Sequence, residues 1–198
     1  MTRSVLEDLQ ERLSSTRKEI EAEIEDQLAA QRERFHYRVE RGKVRFERDI
    51  RELQRRYRIG LLKYVIGARL GYILSAPVIY GLIVPLAFLD LAVTLYQHIC
   101  FRIYKIPLVR RSDHIIVDRQ HLAYLNGIEK LNCVYCGYAN GLIAYAREIA
   151  GRTEQFWCPI KHARRSADPH DHTDAFFDYG DAEAYRASLT DMRGKLND

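Results

Sequence analysis

Residues 131–165 read LNCVYCGYANGLIAYAREIAGRTEQFWCPIKHARR, and the predicted fold turns on how the cysteines in this stretch are used. Cys133 and Cys136 form C-x2-C, a spacing that lets two sulfurs grip one ion from a single tight turn. Cys158 and His162 follow as C-x3-H, and residues four apart share one face of a helical turn. Three thiolates and one imidazole complete a tetrahedral Cys3His set, as in structural zinc sites. The predicted metal ligands are therefore Cys133, Cys136, Cys158 and His162, with zinc as the ion and iron as the alternative. The competing reading is four ordinary residues, because cysteines bury readily without binding anything. A redox C-x-x-C expects a neighbouring βαβ pattern, and none is visible here.

The sequence around the ligands predicts how they would meet. Gly137 gives the chain freedom to turn after the first pair. Tyr138, Leu142, Tyr145 and Ile149 form one helical stripe, so a helix is expected over 138–150, ended by Gly151. Pro159 suits the first position of a further helix, with Cys158 as its cap and His162 one turn inside. The helix between the half-sites would fold back and return Cys158 to Cys133 and Cys136.

CVYCGY followed by WCP resembles the two metal knuckles of rubredoxins, which hold one iron with four cysteines and transfer an electron. The second knuckle departs from that pattern: Ile160-Lys161-His162 stands where a cysteine is expected, so His162 would be the fourth ligand. The segment between the knuckles also reads as helix rather than as rubredoxin's loops and short strands. More broadly, the CVYCGYANGL and WCPIKHARR blocks, within His121–Arg165, are similar to an uncharacterised family of bacterial membrane-associated proteins. That resemblance covers about the last two-thirds of the chain and implies a location without an activity.

Working outward towards the amino terminus, residues 71–89 carry no charge, and Asp90 and His98 are the only ionisable groups over 70–101 besides tyrosines and Cys100. A run this long reads as membrane-embedded. At 1.5 Å per residue, 32 residues span roughly 48 Å against a hydrocarbon core of about 30 Å. Pro77, Gly81 and Pro85 offer a break, so one span and a re-entrant hairpin turning near Gly81 are both open. The hairpin keeps the basic flanks, 41–69 and the Arg102–Arg111 stretch, on one side. It also keeps the cysteines in a reducing compartment. The expected location is the cell inner membrane, with the metal-binding part on the cytoplasmic side. Asp90 is a functional candidate because a carboxylate inside a membrane helix is costly; the sequence shows it no partner. His98, beside Tyr96, reads as interfacial.

Further out, Leu6, Leu9, Leu13, Ile20, Ile24 and Leu28 recur at helical steps among charged residues. They predict a long helix over 4–34, a coiled coil if copies of the chain associate through it. Residues 35–58 are ambiguous. Phe35, Tyr37, Val39 and then Val44, Phe46 alternate as in a hairpin turning at Arg41-Gly42, while Phe46, Ile50, Leu53 and Tyr57 share a helical face. Helix from Lys43 onward is preferred. Residues 32–58 hold 11 basic and 5 acidic residues; such a face is usually solvated, and contact with lipid headgroups is the sharper reading.

After Pro107, Asp113–Asp118 reads as a strand and His121–Leu131 as a helix that delivers Cys133. Residues 168–174, DPHDHTD, read as a flexible polar loop, with a second cation site as the sharper alternative. Residues 181–196 predict a closing helix with Tyr185, Leu189, Met192 and Leu196 on one face. His121, Glu129, Glu148 and Glu154 do not form the Glu-x-x-His pairs of a di-iron site. No phosphate-binding glycine loop, nucleophile elbow or H-E-x-x-H is present.

The predicted fold class is thus mainly α. Its parts are a charged helical or coiled-coil region (1–58), a membrane-embedded segment (59–105), a Cys3His domain (106–165) and an acidic tail with a short helix (166–198). The expected function is a membrane-anchored, metal-stabilised interaction protein, with an iron redox carrier or a zinc enzyme as alternatives. Expected partners are membrane lipid, further copies through residues 4–34 and an unidentified protein, but no nucleic acid. At 198 residues with a net charge of +4, one compact domain with extensions is the expected size. A signal peptide is not visible in the polar, charged first ten residues.

Overall fold

The computed structural model describes residues 5–40, 43–164 and 166–196. The chain is mainly helical. By compactness it divides into two units, Met1–Tyr64 with Asp118–Lys130, and Val65–Val117 with Leu131–Asp198.

The first unit opens with α1 (Val5–Arg34). Charged pairs one turn apart support it, among them Arg12–Asp8 at 3.0 Å and Arg17–Glu21 at 3.1 Å, each adding a few tenths of a kcal/mol. Leu9, Leu13, Ile20, Ile24 and Leu28 lie exposed along it. The next segment corrects the preference for helix from Lys43. Strands β1 (Tyr37–Glu40) and β2 (Lys43–Phe46) pair antiparallel, with Tyr37 opposite Phe46 and Val39 opposite Val44. The Tyr37 and Phe46 rings sit 5.5 Å apart, and such cross-strand aromatic contact outweighs the helical spacing of Phe46 with Ile50. The proposed turn at Arg41-Gly42 lies outside the described residues. Helix α2 (Arg48–Arg56) then follows.

Instead of a helix from His121, the unit closes with a 3-10 turn (Arg119–His121) and an irregular stretch with a turn at residues 123–124, up to Asn126. Ala123 N–H donates to the Gln54 side chain at 3.2 Å. Asn126 caps the next helix, α8 (Gly127–Trp157): its side-chain oxygen accepts from the N–H groups of Ile128 and Glu129 at 3.0 and 3.1 Å. Glu129 reaches back to the Asn126 N–H at 2.8 Å, completing a reciprocal capping box. The short α3 (Leu61–Ile66) follows α2 in the chain, and the division between the units falls within it.

The second unit is organised on the apolar stretch. Helices α4 (Leu70–Gly81) and α5 (Ile83–Tyr96) are joined at Leu82, whose φ of −63° and ψ of −14° stay right-handed helical. Pro85 has no N–H for the Gly81 carbonyl, and the helix tightens there, with Leu82 N–H on the Ile79 carbonyl at 3.2 Å. Nothing reverses direction. A π-helical turn (Gln97–Phe101) and α6 (Arg102–Tyr104) continue the rod, so residues 70–104 form one long helix and the hairpin near Gly81 does not form.

The rod ends sharply. Lys105 takes a left-handed conformation (φ 58°), and Ile106 N–H reaches back to the Phe101 carbonyl at 2.8 Å, with both side chains buried. This is a Schellman-type closure, and Pro107 follows it. Next, α7 (Arg111–His114) replaces the strand expected at 113–118.

Leu131–Trp157 of α8 lies alongside the rod in a parallel sense. Its contacts climb together: Tyr80 to Asn132, Tyr138 to Asp90, Gln97 to Tyr145, Tyr96 to Thr153. Phe101, Ile106, Val109, Leu142, Tyr145 and Ile149 form the core between them. Neither Gly137, Gly141 nor Gly151 ends this helix. Gly141 is instead a packing site, since a Cβ there would stand 2.6 Å from the His114 carbonyl oxygen and from Ile115 Cα. After Trp157 the chain is extended; the helix predicted to start at Pro159 does not form, and Ile160 bridges to Phe177. The expected closing helix is present as α9 (Ala182–Gly194), capped by Asp181, which accepts from Ala184 N–H at 2.9 Å.

Candidate functional site

The four predicted ligands sit on very different ground. Cys133 and Cys136 lie inside α8, half-buried and exposed respectively, with no turn between them. Cys158 follows the last residue of the same helix, its N–H still bonded to the Glu154 carbonyl at 2.8 Å. Twenty-two residues of helix therefore separate Cys136 from Cys158, roughly 33 Å at 1.5 Å per residue. His162 is exposed in the extended segment beyond. The chain brings Cys133 and Cys136 to one helical face and does not bring them to Cys158 and His162. Among the described residues, no group of three or more His, Cys, Asp or Glu side chains is arranged to hold a metal ion. In this conformation the four residues do not fit one tetrahedral site.

Two other polar constellations emerge, one centred on the rod and one mounted on α8. The first surrounds Asp90. Arg111, on α7, donates to its two carboxylate oxygens at 3.2 and 2.6 Å, Tyr138 Oη at 3.0 Å and Thr94 Oγ1 at 3.4 Å. The guanidinium fork matches the carboxylate in the bidentate geometry that arginine favours. Asp90 thus has the partner that the sequence did not show. The carboxylate ties together the rod, α7 and α8.

About two turns further along the rod, Gln97 is 1% exposed and each of its side-chain polar atoms is bonded. Its amide oxygen accepts from Val109 N–H at 3.0 Å, while its nitrogen donates to the Val109 carbonyl at 3.4 Å and to Tyr145 Oη. Gln97 and Phe101, four residues apart at the two ends of the π-helical turn, both face the core. Such single-turn π segments are frequent at functional sites.

The second constellation corrects the flexible-loop reading of residues 168–174. His170 Nε2 meets Glu154 at 2.8 Å. His172 lies between Gln155 Oε1, 2.8 Å from Nδ1, and the Glu148 carboxylate, 3.2 Å from Nε2. Arg152 donates to Glu148 at 2.7 Å, one turn along α8. These bonds hold a 3-10 turn (Asp171–Ala175) against the helix. Gly151 makes room for it: a Cβ there would stand 2.9 Å from His172 and 3.1 Å from His170. The hydrogen bond from His172 is the largest cause lowering the Glu148 carboxyl from 4.5 to about 2; burial opposes it and Arg152 adds to it. His172 between two acceptors donates to both only as an imidazolium.

His162 and His170 line one cleft of about 340 Å³ with Arg147, Glu154, Lys161 and Asp168 among its walls. Its charges are largely spent internally, Arg147 on Asp168 at 3.2 Å and Lys161 on Asp178 at 2.9 Å. His121 lies elsewhere, in the first unit, and Glu129 is consumed by the capping box. Sequence reasoning missed Gln97, Arg111 and Gly151. The one available signal was Asp90 itself, since a carboxylate in an apolar helix demands a partner and Arg110-Arg111 is the first arginine pair after the rod. No protein-family model matches this chain, and no curated protein or solved structure is found to be similar to it.

Proposed function

We propose that this protein is a membrane-anchored interaction protein, held in the bilayer by the first part of the rod. The observation that carries this reading is the rod's bareness. Leu70–Tyr104 is the one described helix long and apolar enough to cross a membrane, its mean hydropathy reaches 2.2, and none of that apolar window is buried. Residues 70–89 supply 20 residues and roughly 30 Å, the thickness of a hydrocarbon core, before Asp90 and its clasp begin, and α8 meets this stretch at Tyr80, which donates to Asn132. Leu74, Val78 and Val84 would face lipid. Segment 41–69, with ten Arg and Lys, would lie on the cytoplasmic face of the inner membrane. The exposed stripe of α1, Leu9 to Leu28, would recruit copies of the chain or another protein.

The test is fractionation. The full chain should sediment with membranes and stay there in alkaline carbonate, and release by carbonate would overturn the anchor. Leu74→Arg with Val84→Arg should free the protein while leaving it folded. Labelling of exposed Cys158 by an impermeant maleimide in intact cells reports the side on which α8 ends.

A further inference from the structure

Within the first unit, Val44, Arg45, Phe46, Arg48, Arg51 and His121 line one cleft of about 380 Å³, inside the size range of small-ligand sites, about 300–1,000 Å³. Among the described residues that line it, the ionisable groups are three guanidiniums and an imidazole, with no carboxylate. Arg48 and Arg51 stand three apart on α2, on one face, where like charges repel. Arg45 has Glu40 at 3.5 Å on the neighbouring strand. Among the described residues, Arg48 and Arg51 make no ion pair at all. This contrasts with α1 and α8, whose arginines at positions 12, 17, 147 and 152 are each met by a carboxylate.

We infer that this cleft binds a phosphate group, held by Arg45, Arg48 and Arg51 with His121 as a further donor. Guanidinium forks suit phosphate because two parallel N–H groups match two of its oxygens. Val44 and Phe46 give the cleft an apolar wall, which suits an ester better than a bare ion. The phosphate comes either from a lipid headgroup or from a soluble ester. The inference does not rest on the membrane anchor, since a soluble phosphate ester would occupy the cleft of an unanchored chain equally well.

The experiment is calorimetric titration of the full chain in neutral detergent with two probes, inorganic pyrophosphate and a short-chain phosphatidic acid. Three proteins are compared: wild type, Arg48→Gln/Arg51→Gln, and Arg55→Gln/Arg56→Gln, which has the same net charge as the first variant but leaves the cleft intact. The expected result is saturable one-site binding of at least one probe, weakened about tenfold or more by the first pair and less than about twofold by the second. Phosphatidic acid alone identifies a headgroup; pyrophosphate alone identifies a soluble ligand; both identify the phosphate group itself. If neither probe saturates, or both double variants lose affinity equally, the cleft is not a site. Should the first variant lose helicity, His121→Ala and Arg51→Lys probe the same cleft, and unchanged affinity in both would equally overturn it.

Discussion

The two halves of the apolar rod have similar composition and different fates. Over residues 70–85, most side chains are exposed on every face, and only Ala76 and Tyr80 are half-covered. Over 86–104, a stripe at helical spacing (Leu86, Leu89, Val93, Gln97, Phe101, Tyr104) turns into the core while Phe88, Leu91, Leu95 and Ile103 remain outside. Hydropathy cannot separate the halves. What separates them is a few polar atoms, Asp90, Gln97 and the Tyr96 hydroxyl, each of which needs a specific partner and so fixes which face is covered. Apolar surface states that a helix must be covered, and polar groups state by what.

The sharpest way to break this comparison is Gln97→Ala. It leaves Val109 and Tyr145 unpaired in the core beside a new void, and should cost about 3 kcal/mol in chemical denaturation. Val84→Ala in the bare half should change the same midpoint by less than about 0.5 kcal/mol. Equal effects would mean that the halves do not differ. Next comes Asp90→Ala, which strands Arg111 and Tyr138; a loss of about 2 kcal/mol is expected, with Asp90→Asn recovering part of it. A third test moves to the histidine turn. Gly151→Ala drives a methyl into His172, and amides over 171–176 should exchange faster while those of α8 stay protected.

Acid titration gives a smaller effect at that site. Because the Glu148 carboxyl is lowered to about 2 in the fold from 4.5, its contribution is complete above pH 4.5 and disappears as pH falls towards 2. Glu148→Gln should flatten the stability profile over that interval, and an unchanged slope would place the acid-sensitive contact elsewhere. The smallest change is expected from Cys136→Ser and Cys158→Ser, both at exposed positions. Each should shift stability by less than about 0.5 kcal/mol. Unfolding by either, reproduced by a chelator, would show that the four predicted ligands do converge.

The long elements were legible where one signal dominated. α1 and α9 follow from helical periodicity and the apolar run from hydropathy, but Pro77, Gly81 and Pro85 suggested a break that the continuous rod does not have. The site was largely illegible. Gly137 and Gly151 read as a turn and a stop, yet in α8 they are buried helix interior, and Gly151 serves close approach by the histidine turn. A glycine that admits a neighbour and one that ends a helix look the same until the neighbour is known. The C-x2-C spacing of Cys133 and Cys136 suits a metal-binding turn, but the same three-residue step also fits one helix face. The partners of Gln97 lie 12 and 48 residues away, beyond the reach of any local pattern.

The parallel course of rod and α8 also sets an order of events at the ribosome. Tyr145 is made 48 residues after Gln97, a delay of roughly 2–10 s at the usual rates of synthesis. Throughout that interval the face destined for α8 has no cover, while the half around Leu74 and Val84 has already been made. Targeting machinery that meets the nascent chain in that window encounters a greasy helix whose eventual cover does not yet exist.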